Sequence, residues 1–516
     1  MSANGTTNKF SDHLVFLLVL LGASVLRALP SFEYDFWNGD VAEMLYHVAE
    51  LRHGRVPYVD IYNHHFLGYL LPLRAFDLLV PLTGTSIKFL GILSNVAVAW
   101  LLYQTVLLLA SQHTAKFAAL VTATLGWLPG WDGLTYNVQT FLLPYFTLVI
   151  FLVVHAIMKQ SERTFYFAAF TLGFLLSTDQ RFIFSLVFLL LPPLFVENYR
   201  RSDVFLKCVG CVAVIPCACI FYLLWNGAIR DWYLATVVFP LSYRNRGLES
   251  SFFAQVFILV KNATFKEPLV STLAIIGFCT LLAYERRAYI VALIIALIIS
   301  GVSYALVGGR PYGNYLLMLT PLVMLFITLP LSILERSRLS SFTKKTPPLL
   351  VMLSCGIALS PALLYLHQHR PLGETIRPLA EVGTFVREHT DPEANILVWG
   401  YAPEIYLSSE RFSGFNEIGL ISVAGADFSS LEHGTQGIVP EREAAFQSYL
   451  AQTPPKMFLY YTRTDEGQGP GRLYQKNFDF RRARHLEYLK NFIDEHYELL
   501  RVFRYGSHVV EVYAKR

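Results

Sequence analysis

Between the first and second apolar runs of this 516-residue chain lies a stretch rich in groups that move protons. Ser31 to His65 holds Glu33, Asp35, Asp40, Glu43 and Asp60, together with His47, His53, His64 and His65. Carboxylates and imidazoles gathered on one long loop are the material of general acid–base chemistry. Asp40 stands at the start of a short amphipathic helix expected over Val41–Leu51. A carboxylate there also serves as a helix cap, and the residue alone leaves both roles open. Its company favours chemistry, because Gly54–Asp60 (GRVPYVD) and then Asn63, His64 and His65 follow closely. Adjacent histidines point apart in most backbone conformations, so His64, His65 and Asp60 are not expected to close on a metal. No cofactor is expected, and nothing indicates a divalent cation.

Arginines beside apolar runs form a second set. In Gly308–Tyr315 (GGRPYGNY), Arg310, Tyr312 and Tyr315 sit at the mouth of an apolar helix. A guanidinium fork binds phosphate oxygens in pairs, but an arginine at a membrane interface also simply snorkels to water. Ser177–Arg181 (STDQR) places Arg181 at another helix end, where it either meets an anion or pairs with Asp179. A charge near the centre of a spanning helix costs about 2.5 to 3.5 kcal/mol, which marks such residues as functional candidates; at a helix end the cost is smaller. Tyr243 to Arg246 form a basic turn that meets an anionic headgroup or merely solvent.

These residues need a scaffold, and the composition says which kind. With 54% hydrophobic and 16% charged residues and a mean hydropathy of +0.43, the chain is too apolar for a water-facing surface. Runs long enough to span a bilayer are read near 12–30, 86–109, 116–131, 138–158, 164–178, 182–196, 207–225, 269–284, 289–307, 313–334 and 347–366, about eleven in all. The first reads as a retained helix rather than a cleaved signal. With a cytoplasmic amino terminus, Lys116, Lys159, Arg163, Arg200, Arg201, Lys207, Arg286, Arg287, Arg336, Arg338, Lys344 and Lys345 fall in inside loops. Trp37, Trp127, Trp131, Trp225 and Trp232 then fall at outer helix ends. Phe66–Leu82, which carries Arg74 and Asp77, reads as a helix lying at the outer interface. The six cysteines lie in apolar runs and read as buried small side chains.

An odd number of spans puts everything after about residue 367 outside. There, helices are expected at 374–390, 440–452 and 477–497, and strands at 395–400, 456–461 and 508–514, which together make a small α/β domain. The fold class is therefore a polytopic α-helical membrane protein with a small carboxy-terminal α/β extracytoplasmic domain. The expected boundaries are a transmembrane domain over 1–366, with its first external loop at 31–85, and a soluble domain over 367–516. Trp399, Tyr401, Glu404 and Tyr406 are candidates to stack on a sugar, although an ordinary strand-to-helix loop has the same composition. No surface suggests nucleic acid.

The sequence of features, a first helix, an Asp-bearing loop, G-x-x-P-Y-x-D over Gly54–Asp60 and His64-His65-Phe66-Leu67-Gly68-Tyr69, resembles the lipid-dependent membrane glycosyltransferases of the GT-C superfamily. Within it, the bacterial relatives of protein O-mannosyltransferases and aminoarabinose transferases are the nearest in pattern. The family's usual H-P-P or K-P stretch is His65-Phe66-Leu67 here, without the prolines. The resemblance implies a donor sugar on a polyprenyl phosphate, transferred at the outer face of the plasma (inner) membrane to a glycan, lipid or protein acceptor. It implies Asp40 as general base with Asp60 in support, and Arg310, Tyr312, Tyr315 and Arg181 around the donor phosphate. Tyr58, His64 and His65 are then candidates for the acceptor side. Direct displacement would invert the anomeric centre. The rival readings are a glycan ligase or polymerase and a lipid-linked sugar transporter. The latter predicts paired inverted halves, of which the sequence has no trace.

Overall fold

A computed structural model describes residues 4–28, 39–126, 136–244, 252–307, 313–336, 379–424, 438–463, 486–505 and 508–516. By packing, the chain divides into two compact units. A helical unit comprises Met1–Glu33, Thr85–Cys219 and Phe252–Gln368; a mixed unit comprises Tyr34–Gly84, Ile220–Ser251 and His369–Arg516. The segment Tyr34–Gly84 thus packs with the carboxy-terminal residues.

In the helical unit the apolar runs become helices at Asn4–Ala28, Gly84–Leu109, Gln112–Leu125, Val138–Lys159, Glu162–Leu176, Ser202–Trp225, Pro268–Tyr284, Ala288–Val307 and Thr320–Arg336. Side chains fix several starts: Ser111, Asn137 and Ser161 each accept a hydrogen bond from the backbone N–H three residues on. Among the described residues, five helices are long and apolar enough to cross a membrane, namely Gly84–Leu109, Val138–Lys159, Ser202–Trp225, Ala288–Val307 and Asn314–Ile333. The protein is a polytopic α-helical membrane protein. The run at 347–366 lies outside the described residues.

Two departures from the expected spans stand out. The run at 182–196 is a 3-10 stretch, Gln180–Leu190, followed by a short α-helix, Leu191–Phe195, with Pro192 and Pro193 in its first turn, where a missing N–H is tolerated. Within the long loop expected between 226 and 267, Phe252–Lys266 is helical and is separated from the next helix by Pro268 at that helix's start. Glycines let backbones touch: a Cβ on Gly277 would collide with the carbonyl oxygen of Phe326, and one on Gly173 with that of Val212.

The mixed unit contains a four-stranded sheet in the order β1-β2-β4-β3, with β1 Ile396–Trp399, β2 Met457–Arg463, β3 Tyr497–Tyr505 and β4 His508–Lys515. β1 and β2 are parallel, while β4 runs antiparallel to both β2 and β3. Alternation sends Leu397, Trp399, Phe458 and Tyr460 into one core with Phe446 and Ile493. Ile396, Val398, Met457 and Leu459 enter the other, with Val382, Ile405 and Tyr406. Both faces being covered, β1 and β2 read as continuous apolar runs. The helix Pro440–Gln452 falls where expected; β3 begins directly after the helix Glu487–His496 and was not anticipated. Tyr46, from the helix Gly39–Arg52, belongs to the second core.

Candidate active site

The helix Gly39–Arg52 carries Asp40, Glu43, His47 and Glu50 at spacings of three, four and three, which sets all four on one face. Residues Tyr34–Gly84 and the carboxy-terminal segment surround that face within the mixed unit. The hydroxyl of Tyr401 lies 2.9 Å from Asp40 Oδ1 and 2.6 Å from Glu43 Oε2, bridging two carboxyls. Its ring is seated on Gly39, where a Cβ would stand 2.6 Å from Tyr401 Cε1.

One turn on, His47 is enclosed. The Tyr69 hydroxyl (2.9 Å) and the Asn63 amide (3.0 Å) both address His47 Nδ1. Nδ1 is therefore the acceptor and the ring hydrogen sits on Nε2, 3.8 Å from Glu43 Oε1. Burial, with the charge of His64, pushes His47 down to about 3, so it is neutral. Glu50 receives the Tyr46 hydroxyl hydrogen at 2.9 Å, and Tyr46 in turn accepts from Ser413 N–H at 2.8 Å. Burial pushes Glu50 up to about 8, against the opposing pull of Arg55.

The acid pair is shifted in the same direction. Glu43 is pushed up to about 7 by burial, then by the charges of Asp40 and Glu417, with the Tyr401 bond working the other way. Burial also raises Asp40, opposed by the same Tyr401 bond, although part of Asp40 still faces water. Glu404 is pushed up to about 7 by burial and the charge of Asp40. A carboxylate at a water-facing helix start, backed by desolvated acids and a phenol, is suited to take up a proton.

The remaining loop candidates have more local partners. Asp60 accepts the Val56 N–H at 2.7 Å while its own N–H meets the Val56 carbonyl, closing a turn; its charge contributes to raising Glu50. Tyr58 is buried with φ +69°, a strained setting for a tyrosine, and its hydroxyl donates to the His65 carbonyl at 2.8 Å. Contrary to expectation, the His64 and His65 rings do not diverge: their centroids are 4.2 Å apart, with His64 near Phe239 and His65 near Tyr69. Neighbouring aromatic rings hold them on one side. Among the described residues no cluster of His, Cys, Asp and Glu could hold a metal. Arg74 and Asp77, expected in an interfacial helix, are paired, and Arg52 joins them on Asp77, so the charges of the helix Leu70–Leu79 are satisfied laterally.

The expected sugar-stacking set is corrected in part. Trp399 is fully buried, and Tyr406, 1% exposed, bonds Val398 N–H and packs on Tyr46. Both belong to the core because β1 is covered on its two faces.

In the helical unit a second polar cluster forms around Arg181. Its Nε lies 2.9 Å and 3.0 Å from the two Asp179 oxygens, and Nη2 also donates to Asp179. The guanidinium is sandwiched between Tyr304, 4.3 Å from the ring centroid, and Tyr315, 4.0 Å. Tyr304 donates to Asp179 at 3.0 Å, and Gln139 and Asn314 extend the network. Nη1 of Arg181 is buried without a hydrogen-bond partner among the described residues. Arg310 and Tyr312 lie outside the described residues, as do Glu33 and Asp35. Glu43, His47 and Tyr401 are the partners that sequence reasoning did not assign; the D-x-x-E-x-x-x-H spacing was the available signal for the first two.

No family model matches the chain, and no curated protein matches it. Solved structures do. A crystal structure of ArnT from Cupriavidus metallidurans bound to undecaprenyl phosphate aligns over 99% of this chain and 98% of that one, with a TM-score of 0.61 at 11% identity. The apo structure of the same protein aligns over 98% of each chain, with a TM-score of 0.57 at 12% identity. The likeness extends over the full length and establishes a shared fold.

Proposed function

We propose that the chain is a membrane glycosyltransferase of the GT-C superfamily, moving a sugar from a polyprenyl phosphate to an acceptor at the outer face of the plasma membrane. The observation that carries this reading is Asp40, presented at a helix start with desolvated acids behind it, in a fold shared end to end with a protein crystallised on undecaprenyl phosphate. The reading includes about eleven spans and a carboxy-terminal domain outside the cytoplasm.

In the reaction the bond between the anomeric carbon and the phosphate oxygen breaks, and negative charge grows on the leaving lipid phosphate. Fixed cations and hydroxyl donors stabilise that charge more in the transition state than in the ground state. Arg310, Tyr312, Tyr315 and Arg181 take this role. For Arg181, the buried nitrogen left over after pairing with Asp179 supports it. Asp40 accepts the hydrogen of the attacking hydroxyl, and a single displacement inverts the anomeric centre. Asp60 shapes the loop beside it, and Tyr58, His64 and His65 line the acceptor side.

The test is transfer of a labelled sugar from a synthetic polyprenyl-phosphate donor by the purified full-length protein. Asp40→Asn is expected to lower kcat by at least about 100-fold, the lower end of what a positioned base supplies. A variant that extracts, purifies and melts like the parent yet keeps a tenth of its turnover removes Asp40 from the role.

A further inference from the structure

The Tyr401 hydroxyl carries one hydrogen and stands between two carboxyl oxygens, 2.9 Å from Asp40 and 2.6 Å from Glu43. A phenol donates once. Both contacts are hydrogen bonds only if one carboxyl is itself protonated and donates to the phenolic oxygen. We infer that Tyr401 is a positioning residue for the acid pair, donating to an ionised Asp40 while accepting from a protonated Glu43, so that the two carboxyls and the phenol form a directed chain. This rests on the reading of Asp40 as base and adds to it how that base is kept ionised and aimed.

The groups around the pair agree on which carboxyl holds the hydrogen. Glu43 faces the inner side, toward neutral His47, Asn63 and Tyr69, and feels the negative charge of Glu417 from the carboxy-terminal segment. Asp40 lies at the water-facing first turn, where the helix N-terminus favours negative charge, with Glu404 as its acidic neighbour. Further along the face, Glu50 is tied to Tyr46 and Arg55, with Asp60 nearby, and His64 acts on His47. The hydrogen therefore rests on Glu43. The ring reaches this position because residue 39 is glycine.

In transfer the hydrogen of the acceptor moves to Asp40, and the chain remains intact because Tyr401 keeps its own hydrogen. Raising the pH ionises Glu43, leaves one hydrogen for two contacts and releases one arm of the bridge.

The measurement is the pH profile of kcat and kcat/KM for the full-length enzyme in detergent or bilayer, with carboxyl infrared difference spectra over the same range. Tyr401→Phe is expected to lower kcat about tenfold, the worth of one charge-assisted hydrogen bond, with KM little changed. The acid limb should move up by about one pH unit, since Asp40 loses a donor to its ionised form. Gly39→Ala, which only displaces the ring, should move that limb in the same direction. Glu43→Gln keeps a donor and should remove the alkaline limb and retain more turnover than Glu43→Ala. Glu404 and Glu50 are also pushed up, to about 7 and 8, so the Glu43 signal is read as the part of the protonated-carboxyl band that is lost in Glu43→Gln, and that part should persist in Asp40→Asn. A Tyr401→Phe enzyme with uniformly lowered activity and an unmoved acid limb overturns the positioning role. A carboxyl band lost in Asp40→Asn instead overturns the assignment of the hydrogen. The spectra do not depend on turnover, so they decide the chain even where Asp40→Asn stays active and the base reading falls.

Discussion

Tyr46 shows how much one side chain of the helix Gly39–Arg52 depends on distant sequence. Its ring packs on Tyr406, and its hydroxyl donates to Glu50 and accepts from Ser413 N–H. Tyr46→Phe keeps the ring but strands a buried backbone N–H and a buried carboxyl, a loss of about 2 kcal/mol. Thermal unfolding should show a lowered midpoint, while the proposed transfer at permissive temperature stays close to the parent's; an unchanged midpoint would mean that water replaces the hydroxyl. At this scale the sequence revealed the acids but not their pairing. Asp40 and Asp60 stand out by type, yet Asp60 closes a turn and Glu43 meets the phenol. Tyr401 lies 361 residues from Asp40, and no local pattern announces such a contact.

Among the elements, the apolar runs were legible because hydrocarbon thickness imposes a length that composition displays directly. The helix Phe252–Lys266 was not, since Lys261, Asn262 and Lys266 interrupt its apolar run. β3 escaped because a bulge between Leu499 and Arg501 breaks the two-residue alternation that marks a strand. Packing between helices carries a sharper expectation. Gly277→Ala places a methyl against the Phe326 carbonyl, so the helices Pro268–Tyr284 and Thr320–Arg336 must separate. Overpacking of this kind costs about 1 to 3 kcal/mol. The detergent-solubilised variant should unfold at lower temperature; equal stability would show that the two helices shift without cost.

For the whole molecule, the buried acids set a pH dependence of stability. Glu43, Glu50 and Glu404 have folded values of about 7, 8 and 7 against an ordinary 4.5, so the native state holds hydrogens that the unfolded chain has released. The stability they contribute is complete below about 4.5 and is lost as pH rises through 7 to 8. His47, driven down from 6.5, acts in the opposite sense but only below 6.5. The unfolding midpoint should therefore decline from pH 6.5 to 8.5 by the equivalent of a few kcal/mol, and Glu50→Gln should flatten the decline. A midpoint that rises over that range would contradict the burial of these acids. The union of Tyr34–Gly84 with His369–Arg516 has a consequence for biogenesis. The helix bearing Asp40 leaves the ribosome hundreds of residues before Tyr401 and the helix Pro403–Ser409 exist to pack on it. A nascent chain stalled before residue 401 would carry the acids without their phenolic partner, so the pair stays unbridged until the carboxy-terminal segment is made.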